Sequence, residues 1–303
     1  MKNLEKILSA MGKKGVRTDC NCTFAKLTTF GSGGKIALTL YPDSVKKLIF
    51  AEKYLRRHKI PRYYLGHGSN VLASDNDYDG VVVVTSQAKK ICVEKRFVTA
   101  DCGVSTSSLC ALLVKNGLTG GEFFGCLPAT VGGAVVCNAG CFGQCAEQVV
   151  QSVVALRRGK LVRLSQKQCG FQKRQSVFKR NDDFVVLQVV MKFSSARPSE
   201  VQAAVAQMRK KKSETQPLSV RSAGCVLFSE KTAVSRLIDL AGLKGFKIGG
   251  AQVSEKHAGF VINLDKATSK DIYLLIQHVK NVVTQKFGIL PQTELCFVNF
   301  DGE

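Results

Sequence analysis

Apolar residues recur every three or four positions at the start of the chain, where Leu4, Ile7, Leu8 and Met11 are interspersed with Lys2, Glu5 and Lys6. That spacing puts them on one face and predicts an amphipathic helix over 1–11. The same period returns over 44–58 (Val45, Leu48, Ile49, Leu55), after a turn at Pro42 and Asp43, and over 103–117 (Leu109, Leu112, Leu113). It predicts further helices over 201–212, over 232–241 with Gly242 as a stop, and over 269–287 through Ile272, Leu275, Ile276, Val279 and Val283. Valine-rich or aromatic runs at 63–65, 81–84, 149–156, 184–193 and 260–263 predict strands. The runs at 149–156 and 184–193 are expected to pair in one sheet, and Glu294 is expected in a terminal strand. The glycine-rich stretch 120–143 cannot be regular helix throughout and reads as loops gripping a ligand. Polar residues around Pro198 predict a domain boundary. The expected class is α+β, without internal repeats.

Forty-five per cent apolar and 22% charged residues in 303 describe a folded globular chain that needs no crosslinks. Twelve scattered cysteines, with no apolar leader ahead of them, are expected to be reduced and mostly small core residues. Cys137, Cys141 and Cys145 are four apart, but Gly140 and Gly143 interrupt any helix and no histidine or CxxC pair completes a ligand set, so no metal is expected. No run of about 18 apolar residues is present, which predicts a cytoplasmic protein without a membrane span. A formal charge of +21 calls for polyanionic or phosphorylated partners. Nucleic acid is the rival reading. It is disfavoured because basic clusters such as Arg209 to Lys212 are short, Trp is absent and no nucleic-acid module is recognisable.

Gly66, His67, Gly68, Ser69 and Asn70 follow a strand, and their small side chains would let backbone N–H groups approach a pyrophosphate. By itself such a loop is as much a tight turn as a phosphate site. A second stretch repeats the character: Leu127, Pro128, Ala129, Thr130, Val131, Gly132, Gly133 and Ala134, then Asn138, Ala139, Gly140 and Gly143. Two such loops in one domain suggest a dinucleotide. LGHGSNVL, LPATVGGAVVCNAG and TTFGSGG (28–34), followed by FQKRQSVFK, SAGC, GLKGFKIGGAQVSEKHAGFVIN and LPQTEL, resemble the UDP-N-acetylenolpyruvoylglucosamine reductase (MurB) family along nearly the whole chain. The run 242–263 is the most specific part.

The resemblance implies an FAD-binding region of the vanillyl-alcohol-oxidase (PCMH) type over 1–195, with subdomains of roughly 1–85 and 86–195. A C-terminal α/β substrate domain over 196–303 follows. It further implies the shorter of the family's two forms, acting as a monomer in cell-wall precursor synthesis. NADPH reduces FAD and leaves, and UDP-N-acetylglucosamine enolpyruvate takes its place to become UDP-N-acetylmuramate. FAD contacts are carried over to Gly66, His67, Gly68, Ser69, Asn70, Leu127, Pro128, Thr130, Gly132, Gly133, Asn138 and Gly140, and the catalytic set to Arg174, Cys225 and Glu294. Arg174 would hold the enolate charge with a bidentate fork. Cys225 would give the proton, a thiol being mostly protonated at neutral pH, and Glu294 would stabilise the same intermediate. Without the resemblance these are a surface arginine, a buried thiol and a strand-edge charge, and His257 is equally a substrate contact or a structural residue. Cys126 and Ala129 stand where the family has glycines, Lys173 where it has tyrosine, and Phe228, Ser229 and Glu230 where it has lysine, asparagine and proline. These departures keep open a flavin oxidoreductase with another substrate.

Overall fold

The computed structural model describes residues 4–300, so Met1, Lys2 and Asn3 of the expected first helix lie outside the described residues. The chain folds into two compact units that interleave in sequence. The first takes the chain up to Cys20, then Leu38–His67 and Asp79–Lys212. The second takes Asn21–Ala37, Gly68–Tyr78 and the chain from Ser213 onward.

In the first unit, helices Leu4–Gly12, Val45–Arg57 and Thr106–Lys115 form where the apolar period places them. Ser44 and Ser105 open the last two, each accepting a backbone N–H with its side chain. Leu48, Leu55, Ile7 and Met11 are buried in one core with Leu38, Leu40, Val81 and Val83. The strands Val150–Arg157 and Phe184–Lys192 pair antiparallel, with Val153 opposite Val189. They form the middle of a five-stranded sheet completed by Lys160–Ser165 on one side, and by Phe97–Asp101 and Ile91–Glu94 on the other. Helix Pro198–Thr215 packs with this unit as far as Lys212.

Two features of this unit run against simple expectation. The glycine-rich stretch contains a six-residue helix, Val131–Val136, opened by Thr130, whose Oγ1 accepts the Gly133 N–H at 3.2 Å. Two glycines in six residues hid it from a propensity reading. Gly132 is needed for packing: a β-carbon there would lie 2.7 Å from Cys102 Cβ and 2.9 Å from Cys102 O. The second feature is a fully buried carboxylate. Glu52 accepts from Arg56 Nε at 2.5 Å, from Arg62 Nε and Nη2 at 2.6 and 3.0 Å, and from the Tyr64 hydroxyl. Burial pushes its pKa up, but the hydrogen bonds from Arg62, Tyr64 and Arg56 outweigh that and hold it below the usual 4.5.

In the second unit, Arg221–Cys225, Phe260–Asn263, Ala251–Val253 and Lys247–Ile248 form an antiparallel sheet in that order. Helix Ser269–Phe287 covers it with Ile272, Leu275, Ile276, Val279 and Val283. Thr268 and Asp271 close a capping box at its start, and Asp75 also accepts the Ser269 and Lys270 N–H groups at 2.9 and 3.0 Å. A carboxylate at this end is favoured by the helix dipole. Glu294 does not sit in a strand as expected. It occupies the bend between Gln292–Thr293 and Cys296–Val298, and the latter pairs in parallel with Val71–Ala73. Among the described residues, no helix is long and apolar enough to cross a membrane.

Because a depressed carboxyl pKa stabilises the folded state above its unfolded value and loses that contribution as pH falls through the folded one, Glu52 stabilises at neutral pH. Glu52→Gln is expected to lower the urea unfolding free energy by about 3–5 kcal/mol at pH 7, with the gap to wild type closing below about pH 4. Gly132→Ala is expected to cost about 1–3 kcal/mol in the same assay. Gly133→Ala, whose methyl would meet only Thr130 Oγ1 at 3.3 Å, is expected to stay within about 0.5 kcal/mol of wild type.

Candidate active site

The loop after strand Arg62–Leu65 carries the first expected cofactor residues. None of the backbone N–H groups of Gly66, His67, Gly68 and Ser69 donates a hydrogen bond among the described residues. Four successive unspent amides with little side-chain bulk over them form the donor set that an anionic pyrophosphate takes. Gly66, in the first unit, lies over Thr130: a β-carbon on it would be 2.6 Å from Thr130 Oγ1. Gly68, in the second unit, has φ +62° and would put a β-carbon 2.1 Å from Leu27 O. Its carbonyl accepts the Thr29 N–H at 3.1 Å, so the TTFGSGG segment supports this loop from below.

The second expected loop behaves differently. The Val131 and Gly132 N–H groups donate to Val104 and Cys102 carbonyls, both at 2.8 Å, and the Gly133 N–H goes to Thr130. These glycine amides serve packing and capping. Upstream, Thr106 Oγ1 donates to the carbonyls of Leu127 at 2.5 Å and Ala129 at 3.1 Å, while Arg209 Nε and Lys212 Nζ donate to those of Gly125 and Cys126. The backbone at the two departures from the glycine pattern is therefore held from three sides, with Pro128 exposed at its tip. Asn138 is buried and its side chain is committed to Glu147 and Gln172.

Arg174 sits on a tight turn. Gln172 and Gln175 exchange two backbone hydrogen bonds of 3.0 Å, leaving Lys173 and Arg174 at the tip. Arg174 has φ +60°, which few non-glycine residues adopt, and such strain concentrates at functional sites. Its Nη2 donates to the Gly140 carbonyl at 3.1 Å, and Asn138 Nδ2 donates to the Gln172 carbonyl at 3.0 Å. Ser176 Oγ donates to Val136 O at 2.7 Å. The turn is thus docked on the hairpin and helix that carry the second loop.

Within the second unit the structure brings Cys225, Glu294 and Asn70 together. Cys225 ends its strand, after Gly224 at φ +80°. The next residue, Val226, accepts the Glu294 N–H at 2.9 Å and donates to Gly259 O at 3.0 Å. Asn70 Nδ2 donates to Glu294 O at 2.9 Å, and Asn70 O accepts the Cys296 N–H at 2.9 Å. The end of the first loop and the expected catalytic glutamate are therefore hydrogen-bonded neighbours. Gly259, which the sequence reading did not single out, lies against both Cys225 and His257. A glycine inside a strand-adjacent apolar run was the available signal. Phe228 and Ser229 are buried and Glu230 is exposed.

Residues 36–165 match the family described as "FAD binding domain", and residues 216–298 match "UDP-N-acetylenolpyruvoylglucosamine reductase, C-terminal domain". The UDP-N-acetylenolpyruvoylglucosamine reductase of Fervidobacterium nodosum is 36% identical over 293 residues, covering 96% of this chain and 94% of its own. That of Clostridium novyi is 33% identical over 301 residues, covering 99% and 97%. The crystal structure of the corresponding reductase (MurB) from Thermus caldophilus superposes with a TM-score of 0.79 at 25% identity, over 93% of this chain and 99% of that one. Near-complete coverage at these identities, on an α+β fold with an unspent amide loop inside the FAD-domain match, means that this chain belongs to the UDP-N-acetylenolpyruvoylglucosamine reductase family.

Proposed function

We propose that this protein is an FAD-dependent, NADPH-consuming reductase that converts UDP-N-acetylglucosamine enolpyruvate to UDP-N-acetylmuramate, a peptidoglycan precursor. The observation that carries the reading is the run of four unspent amides, Gly66 to Ser69, inside the segment matching an FAD-binding domain. Those amides would hold the pyrophosphate of FAD, and Leu127, Pro128, Thr130 and the glycines beside them would line a PCMH-type FAD-binding region. The substrate domain expected over 196–303 would correspond to the chain from Ser213 onward, the helix before it packing with the first unit. When bound, FAD supplies the hydride that adds to the terminal vinyl carbon.

The chain's own side chains manage the charge and the proton. Arg174, presented on its turn, pairs with the substrate carboxylate, where negative charge grows as the hydride arrives. Cys225 gives its Sγ proton to the carbon next to that carboxylate, so hydride and proton together saturate the double bond, and the thiolate regains a proton from solvent. Glu294, held by Val226 and Asn70, hydrogen-bonds the same developing charge. The positive charge of the chain draws in FAD, NADPH and the UDP sugar, all of them phosphorylated. The protein works in the cytoplasm as a monomer, with no nucleic-acid partner. The departures from the family pattern at Phe228, Ser229 and Glu230 motivate, as second reading, a flavin oxidoreductase of the same scaffold with another substrate.

Purified protein is expected to show the visible absorption of an oxidised flavin. In Cys225→Ala, NADPH is expected to bleach that flavin as in wild type, while formation of UDP-N-acetylmuramate falls by about 10²–10⁴-fold, the usual worth of a placed proton donor. A colourless protein that takes up no added FAD, or an alanine variant with both half-reactions intact, would refute the cofactor and proton-donor assignments respectively.

A further inference from the structure

Strand Arg221–Cys225 runs antiparallel to Phe260–Asn263 with Cys225 opposite Phe260, which sets Gly259 beside the thiol. The place where a β-carbon of Gly259 would stand is already crowded. Cys225 Sγ is 3.2 Å from it, and His257 Cε1 and Nδ1 are 3.1 and 3.2 Å from it, all inside the 3.4–4 Å of ordinary contact. The backbone of Gly259 cannot retreat, because its carbonyl accepts the Val226 N–H at 3.0 Å and its own N–H donates to His257 Nδ1 at 3.2 Å. The ring is braced further. It lies edge-on to Phe260 with centroids 5.0 Å apart, and the His257 N–H donates to Ser254 Oγ at 3.3 Å. Burial lowers the imidazole pKa below its usual 6.5, which favours the neutral ring at neutral pH. With Nδ1 accepting from Gly259, its single proton sits on Nε2. An imidazolium here would favour the thiolate, which has no proton to give.

We infer that His257 is a positioning residue for Cys225: seated on Gly259, the imidazole and the thiol share one side-chain-free slot, and the ring fixes the direction in which the Sγ proton is delivered. This inference rests on the reading of Cys225 as proton donor. It concerns the second half-reaction alone, since NADPH oxidation needs no proton from that thiol.

The test uses the full chain loaded with FAD. NADPH-reduced protein is mixed anaerobically with the enolpyruvyl sugar, and return of flavin colour is followed at several sugar concentrations. His257→Asn keeps an acceptor for the Gly259 N–H and removes the ring, whereas Gly259→Ala keeps the ring and fills the slot. Both are expected to bleach with NADPH at the wild-type rate and to keep the wild-type half-saturating sugar concentration. Recolouring should slow on the order of 10²-fold, the cost of misplacing a reacting group by about 1 Å. Recolouring at the wild-type rate in both variants, or a defect lying wholly in half-saturation, would overturn the inference. Should Gly259→Ala not fold, His257→Asn and His257→Gln carry the same comparison. A wild-type protein that bleaches but never recolours with this sugar would instead overturn the substrate reading on which the inference stands.

Discussion

Both backbone hydrogen-bonding groups of Val226 are committed to other segments, one to Gly259 and one to Glu294. Val226 is itself buried in the core of the second unit, so neither bond is exposed to competition from water. That pair of bonds sets Cys225 between the His257 turn on one side and the Glu294 bend on the other. The Asn70 side chain extends the same network into the first loop.

In the first unit a tight turn holds Arg174. Arg174 lies in a strained backbone conformation and spends one guanidinium nitrogen on Gly140. The hairpin and short helix beneath it depend on close backbone approach at Gly132 and Gly140, where a β-carbon would fall 2.9 Å from Cys102 O and 2.0 Å from Gln144 O. Glycine is required there for packing.

Arg56 and Arg62 are consumed by the buried Glu52, and Arg209 and Lys212 by carbonyls of the 125–126 segment. These cations help to hold the structure.

Periodicity between residues three or four apart is a local property, so helices such as Val45–Arg57 and Ser269–Phe287 and the valine strands were legible in the order of residues alone. So were the family motifs, and with them the identities of Arg174, Cys225 and Glu294 as residues to watch. The helix Val131–Val136 was not, because its stability comes from Thr130 and from packing on Cys102 instead of from propensity. Nor was the bend at Glu294, which follows from parallel pairing of Cys296–Val298 with Val71–Ala73. The meeting of Asn70 with Glu294 joins positions 224 residues apart, and Gly259 matters only because Cys225 comes to lie beside it. Such contacts are selected by the free energy of the whole packed unit, to which no short stretch of chain holds the key.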